Sequence, residues 1–278
     1  MTKLQNNAPI AIFDSGIGGL TVVRKILETL PNEKVIYLGD TARVPYGAKT
    51  TQTIQKYTSE ILNFLLLQKP KVIIAACNSV SATSIETAIT QAQNIPVFGV
   101  IEPGARAGIQ ATSNLKIGVI GTHATISSQA YDKALKKLNP NVEIFSTACP
   151  LFVPLVEEGW LEHEASALIV DEYIQPLVHK GIDTLLLGCT HYPLLKPLIE
   201  RQIKKHSVKI IDSADVIANE LSKFLTHNKL LREAPALTPQ NGLELFVTDL
   251  PGRFQTHAEL FLGKSLQNPI LINLDSTQ

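Results

Sequence analysis

Short apolar, β-rich runs recur along the chain: Ile10-Ala11-Ile12-Phe13, Val35-Ile36-Tyr37-Leu38, Val72 to Ala76, and Val97 to Ile101. Between them lie longer segments, such as Gly19 to Leu30 and Thr51 to Gln68, whose apolar positions return with helical spacing over polar faces. Runs of strand length alternating with amphipathic helices predict an α/β fold with a mostly parallel sheet flanked by helices. In such sheets ligands bind beyond the carboxyl ends of the strands.

The second half restates the first. Ile117-Gly118-Val119-Ile120-Gly121-Thr122 resembles Ile10-Ala11-Ile12-Phe13-Asp14-Ser15 as an opening strand and polar turn, and in each half a strand ending in cysteine follows after a comparable stretch. This predicts two similar, pseudo-symmetric α/β domains with an active site in the cleft between them. Ile210-Ile211-Asp212-Ser213-Ala214 reads as a further strand and turn, and Phe246-Val247-Thr248 and Phe254 to Leu262 as a strand and a helix that return to the first domain. The expected division is residues 1–99 plus 211–278 for a discontinuous first domain, carrying Asp14 and Cys77, and 100–210 for a second, carrying Cys189 and His191. Pro103-Gly104 and the Ile210 to Ala214 region are the expected crossings.

The chemistry concentrates at two of these strand ends. Cys77 closes Val72-Ile73-Ile74-Ala75-Ala76 and is followed by Asn78-Ser79; Cys189 closes Thr184-Leu185-Leu186-Leu187-Gly188 and is followed by Thr190-His191. Small polar residues open helices and anion-binding turns. A thiol at a helix N-terminus is expected to favour thiolate, and hence reactive sulfur. The third cysteine, Cys149, precedes Pro150 without such a polar pair and reads as structural. One strand-end cysteine alone is more often a small hydrophobe; duplication argues for function.

Composition narrows the partners. Of 278 residues, Lys plus Arg and Asp plus Glu each number 25, giving zero formal net charge, so no global field attracts nucleic acid or an anionic membrane. The longest apolar stretches run about six to eight residues against the roughly 20 of a membrane helix. Three cysteines and an opening without an export signal point to a reducing cytoplasm rather than a disulfide framework. The expected partner is a small molecule.

Around the strand ends lie further polar groups. Asp14-Ser15-Gly16-Ile17-Gly18-Gly19 brings flexible backbone near a carboxylate or phosphate, but it lacks the Gly-Lys-Ser/Thr ending of a P-loop and the dinucleotide spacing. Asp14 would repel a phosphate, so its expected role is proton transfer, the alternative being a helix cap. Gly39-Asp40 with Pro45-Tyr46-Gly47 offers a rigid turn that could hold a carboxylate, and His191 is the clearest partner for the Cys189 thiol. Metal-ligand spacing and a lysine in a pyridoxal-phosphate setting are absent, so neither metal nor cofactor is expected.

These motifs, with Ile101-Glu102-Pro103-Gly104, Pro150-Leu151-Phe152-Val153-Pro154-Leu155-Val156-Glu157-Glu158-Gly159, Gly188-Cys189-Thr190-His191-Tyr192-Pro193 and the segment near Phe254 to Gly263, together resemble the glutamate racemases, in order and over nearly the whole chain. That family usually has threonine at Ser79 and alanine at Val80. The resemblance implies a cofactor-independent, two-base racemase that closes its domains over glutamate. Cys77 would then take the α-proton from D-glutamate with Asp14 assisting, and Cys189 from L-glutamate with His191 assisting.

It further implies substrate contacts from Asp14, Ser15, Tyr46, Gly47, Asn78, Ser79, Thr122, Thr190 and His191. Asp40 and Glu157 become acidic support, Glu157 orienting His191 or holding the substrate ammonium. D-Glutamate would feed peptidoglycan synthesis, and with it the cell wall and cell shape, in a bacterial cytoplasm. Oligomeric state stays open, a homodimer among the alternatives. Two rival readings remain: another amino-acid or hydantoin racemase, differing at Asn78, Thr190 and around His191, and a zinc- or redox-active protein using Cys77, Cys189 and His191.

Overall fold

The computed structural model describes residues 5–233, 242–250, 254–265 and 269–274. The first half runs β1 (Ile10–Asp14), α1 (Leu20–Thr29), β2 (Val35–Gly39), α2 (Thr51–Leu67), β3 (Val72–Ala75), α3 (Asn78–Thr83), α4 (Ile85–Ala92) and β4 (Val97–Gly99). Helix α5 (Ile101–Ala111) leads into β5 (Lys116–Gly121), α6 (His123–Ser127), α7 (Ala130–Leu138), β6 (Glu143–Ala148), α8 (Phe152–Glu157), α9 (Glu164–His179), β7 (Thr184–Gly188), α10 (Lys196–Gln202) and β8 (Lys209–Asp212). Then come α11 (Ser213–His227), β9 (Leu243–Val247), α12 (Phe254–Leu262) and β10 (Ile270–Leu271).

Two sheets form, ordered β10-β9-β2-β1-β3-β4 and β6-β5-β7-β8, and every paired strand is parallel. The order β2-β1-β3-β4 in the first is repeated as β6-β5-β7-β8 in the second, so the duplication read from the two opening strands extends to the whole strand arrangement. In both, the first strand is central and its neighbours lie on opposite sides. That reversal opens a crevice at the carboxyl ends of the central strands. Cys77 follows β3 and Cys189 follows β7, which are equivalent strands.

Burial explains the sequence pattern. All five residues of β1, β2 and β7 are buried, as expected where helices cover both faces of a parallel sheet. The largest apolar cluster is continuous across the halves, joining Ile12, Leu20 and Ile26 to Phe152, Leu187, Ile217 and Phe261. Helix α11, capped by Asp212 accepting from the Ala214 amide at 2.8 Å, packs against α1 and α5 and returns the chain to the first sheet.

Pro103-Gly104 lies in the first turn of α5, where the missing proline N–H has no intrahelical partner to lose. The chain crosses between the sheets along that helix. The C-terminal helix occupies Phe254–Leu262, within the segment expected for it.

Candidate active site

The strand ends of the two halves enclose one cavity. Ser15, Val44, Pro45, Tyr46, Gly47, Cys77, Asn78 and Ser79 line it from the first half; Thr122, Val153, Glu157, Cys189, Thr190 and His191 line it from the second. Its volume is ≈ 30 Å³, room for little more than a water or two.

Cys77 sits at the start of α3 and is 5 % exposed, its Sγ donating to Ser15 Oγ at 3.6 Å. Burial pushes the Cys77 thiol up to about 12, with the Asp14 charge adding; the Val80 amide and Ser15 pull the other way and lose. This departs from the thiolate expected at a helix start. Helix α3 has only six residues, and removal from water outweighs its few amides.

Cys189 differs in its support. Its Sγ lies 3.9 Å from His191 Nδ1, and His191 Nε2 lies 3.0 Å from Glu157 Oε1. Burial alone would lower the His191 pKa, but the hydrogen bonds to Cys189 and Glu157 overcome it and carry the imidazole up to about 10. His191 is thus held protonated at neutral pH. The edge of the Phe261 ring packs against it, with centroids 5.1 Å apart.

Asp14 and Asp40 stand behind the cavity wall instead of on it. Asp14 is fully buried; it accepts from the Gly16 amide at 3.1 Å and from Thr190 Oγ1 at 3.4 Å. Burial raises its pKa, and the His191 charge lowers it by less. Asp40 accepts from the Tyr46 hydroxyl, from Arg43 Nε at 2.6 Å and from Thr248 Oγ1 at 2.8 Å. It therefore backs Tyr46, whose phenol burial and the Asp40 charge keep protonated.

The glycine-rich loop packs closely, at Gly18 against the other half and at Gly19 against Asp14 of its own. A Cβ on Gly18 would lie 2.5 Å from His191 Nδ1, and one on Gly19 2.6 Å from Asp14 Cβ. Thr21, which the sequence did not single out, donates to the Thr190 carbonyl at 3.2 Å and joins the loop to the Cys189 turn. Gly47 meets the other half similarly: its Cβ would lie 2.5 Å from Thr122 Cβ. Ser79 and Thr122 hydroxyls pair across the cleft at 2.9 Å, and Val80 is fully buried in the first half's core.

Cys149 is fully buried off the cavity, its carbonyl accepting from the Tyr192 hydroxyl at 2.9 Å. All three cysteines are free thiols. Among the described residues no group of His, Cys, Asp or Glu is disposed to hold a metal ion, and no helix is long and apolar enough to cross a membrane.

Two thiols facing one cavity from duplicated parallel sheets is the frame of a racemase, and the chain belongs to the Asp/Glu/Hydantoin racemase family, whose model matches residues 10–221. It is similar to the glutamate racemase of Chlorobaculum tepidum, 46% identical with 98% of each chain covered. It is likewise similar to that of Neisseria meningitidis, 45% identical over 99% of this chain and 100% of the relative. Among solved structures, glutamate racemase from Francisella tularensis in complex with D-glutamate superposes with a TM-score of 0.90 at 41% identity, covering 98% of this chain and 99% of that one.

Proposed function

We propose that this chain interconverts L- and D-glutamate by proton transfer at the α-carbon, with Cys77 and Cys189 as the two bases. The observation that carries the reading is that two free thiols reach the same cavity from equivalent strand ends of opposite halves. Inverting a stereocentre requires removing a proton from one face and returning one to the other, so acid and base must stand on opposite sides. The glutamate racemases among its relatives support the choice of substrate.

The two thiols are supported differently: His191 stands 3.9 Å from Cys189 Sγ, its pKa raised by that thiol and by Glu157, whereas burial and the Asp14 charge raise the pKa of Cys77. From L-glutamate, the Cys189 thiolate takes the α-proton and the Cys77 thiol donates its own to the opposite face. The reverse reaction starts with those roles exchanged. Glu157 orients His191, Asp14 acts on Cys77 through its charge, and Ser15, Tyr46, Gly47, Asn78, Ser79, Thr122 and Thr190 offer polar contacts to the substrate.

We take the two halves, residues 1–99 with 211–278 and residues 100–210, to be domains that part to admit glutamate. The proposed setting is the bacterial cytoplasm, with D-glutamate supplied to peptidoglycan synthesis; rescue of a D-glutamate auxotroph by the expressed chain tests that role. For the reaction itself, circular dichroism of D- and L-glutamate solutions should decay to zero with the protein present. Inversion of aspartate or a hydantoin but not glutamate would overturn the substrate. Because both bases are side chains, activity should survive exhaustive dialysis against chelator and carbonyl-trapping reagents and be lost on thiol alkylation.

A further inference from the structure

Tyr131 belongs to α7 in the second half, yet its hydroxyl donates at 2.9 Å to Oδ1 of Asn78 in the first. Its ring is held between two glycines: a Cβ on Gly104 would stand 3.1 Å from Cε1, and one on Gly188 3.1 Å from Cε2. Gly188 immediately precedes Cys189, and Asn78 immediately follows Cys77. One buried ring thus touches both cysteine turns.

The amide that Tyr131 holds is incomplete. Asn78 is 2 % exposed and lines the cavity, but its Nδ2 has no hydrogen-bond partner among the described residues. A buried donor left unpaired is costly, and a carboxylate oxygen in the cavity would complete it. A primary amide can present either its oxygen or its nitrogen. Burial, with the charges of Asp212 and Cys189 adding, raises the Tyr131 pKa above its ordinary value, so the phenol keeps its hydrogen. That hydrogen goes to Oδ1, which leaves Nδ2 unpaired.

We propose that Tyr131 is a positioning residue: by fixing Oδ1 of Asn78 it aims the Nδ2 donor into the cavity at a carboxylate of the substrate. The claim rests on the glutamate reading for the ligand but concerns a separate matter, which end of the amide meets it. Both enantiomers carry the same carboxylates, so both feel the same donor.

Tyr131→Phe keeps the ring between its glycines and removes only the hydroxyl. KM for D- and L-glutamate is expected to rise about 5-fold, the loss of part of one hydrogen bond to a charged group, with kcat within about twofold. In an Asn78→Ala background the same change should add nothing. An unchanged KM, or an equal rise in both backgrounds, overturns the proposal. Asn78→Asp supplies a second test that leaves Tyr131 intact: it keeps the acceptor and replaces the donor with an oxygen, so it should bind more weakly than Asn78→Ala. Binding by Asn78→Asp as tight as wild type overturns the proposal, whatever the folding of Tyr131→Phe.

Calorimetric titration of the same variants with glutarate, an achiral dicarboxylate, reads binding without turnover. These variant effects on glutarate in a protein that leaves glutamate unchanged would keep the role of Tyr131 and refute the substrate. Racemisation of glutamate without the variant effects would do the reverse.

Discussion

Cys77 and Cys189 occupy equivalent strand ends but are supported by different neighbours, so removing each should leave a different half of the reaction. Neither Cys77→Ala nor Cys189→Ala should racemise glutamate. In deuterated water, Cys77→Ala should slowly exchange the α-proton of L-glutamate through Cys189, and Cys189→Ala that of D-glutamate through Cys77, as followed by proton NMR. The opposite enantiomer pattern would exchange the roles; racemisation by either variant would end the two-thiol mechanism. His191 adds a pH dependence. It binds its proton more tightly folded, at about 10, than at its ordinary 6.5, so the stability it contributes is complete below pH 6.5 and lost as pH rises through about 10. The unfolding midpoint of the wild type should therefore fall more steeply across that window than that of His191→Asn. Activity from L-glutamate should decline on the same alkaline limb. Glu157→Gln, which removes one of the interactions raising the His191 pKa, should move that limb to lower pH. The thiols and His191 could be read from the sequence because each sits beside a strand end. The Glu157 contact came only through the family resemblance, and the protonation of Cys77 and the Tyr131–Asn78 bond could not be read at all, since each depends on residues far apart in the chain.

At the scale of elements, the loop from β1 to α1 does more than shape a turn. Its Gly18 abuts the His191 ring of the other half, leaving no room for a methyl group. Gly18→Ala should displace the Cys189–His191 turn and lower kcat by about 10²-fold, the effect of misplacing a reacting group by about 1 Å. Far-ultraviolet circular dichroism should remain that of the wild type; near-wild-type activity would show that the turn yields without consequence. Strands β1, β2, β3 and β7 were plain in the sequence because burial on both faces leaves continuous apolar runs. Strand β6 was not, for it is an edge strand whose Glu143-Ile144-Phe145-Ser146-Thr147-Ala148 mixes polar and apolar positions and is nowhere fully buried. Helix α5 escaped for another reason: Pro103-Gly104 carries a turn signal, but proline at a helix start is compatible with the helix. The glycine loop kept its expected place, and its contact with the other half at Gly18 was not legible in the sequence.

For the whole molecule, the cavity of ≈ 30 Å³ is smaller than glutamate, so on the proposed reading the halves part to admit it. Iodoacetamide should accordingly modify Cys77 and Cys189 more slowly in the native protein than in the unfolded chain, and saturating glutamate should slow it further, as read by peptide mass spectrometry. Cys149, fully buried and off the cavity, should react only on unfolding. Equal rates in native and unfolded protein would contradict a closed resting state. The duplication itself was legible from Ile10 to Ser15 and Ile117 to Thr122; the shared strand order was not, because pairing between distant strands leaves no local trace. That order frames a reaction whose two ends are mirror images, and in achiral water mirror images have an equilibrium constant of one. The ratio kcat/KM must therefore be identical in the two directions, however unlike the surroundings of the two thiols. The contrast between Ser15 with Asp14 on one side and His191 with Glu157 on the other can make D- and L-glutamate turn over at different maximal rates only if their KM values differ in the same proportion. On the proposed two-thiol mechanism, the asymmetry of the supports is confined to the concentration at which each direction saturates, while the racemic endpoint belongs to the substrate alone.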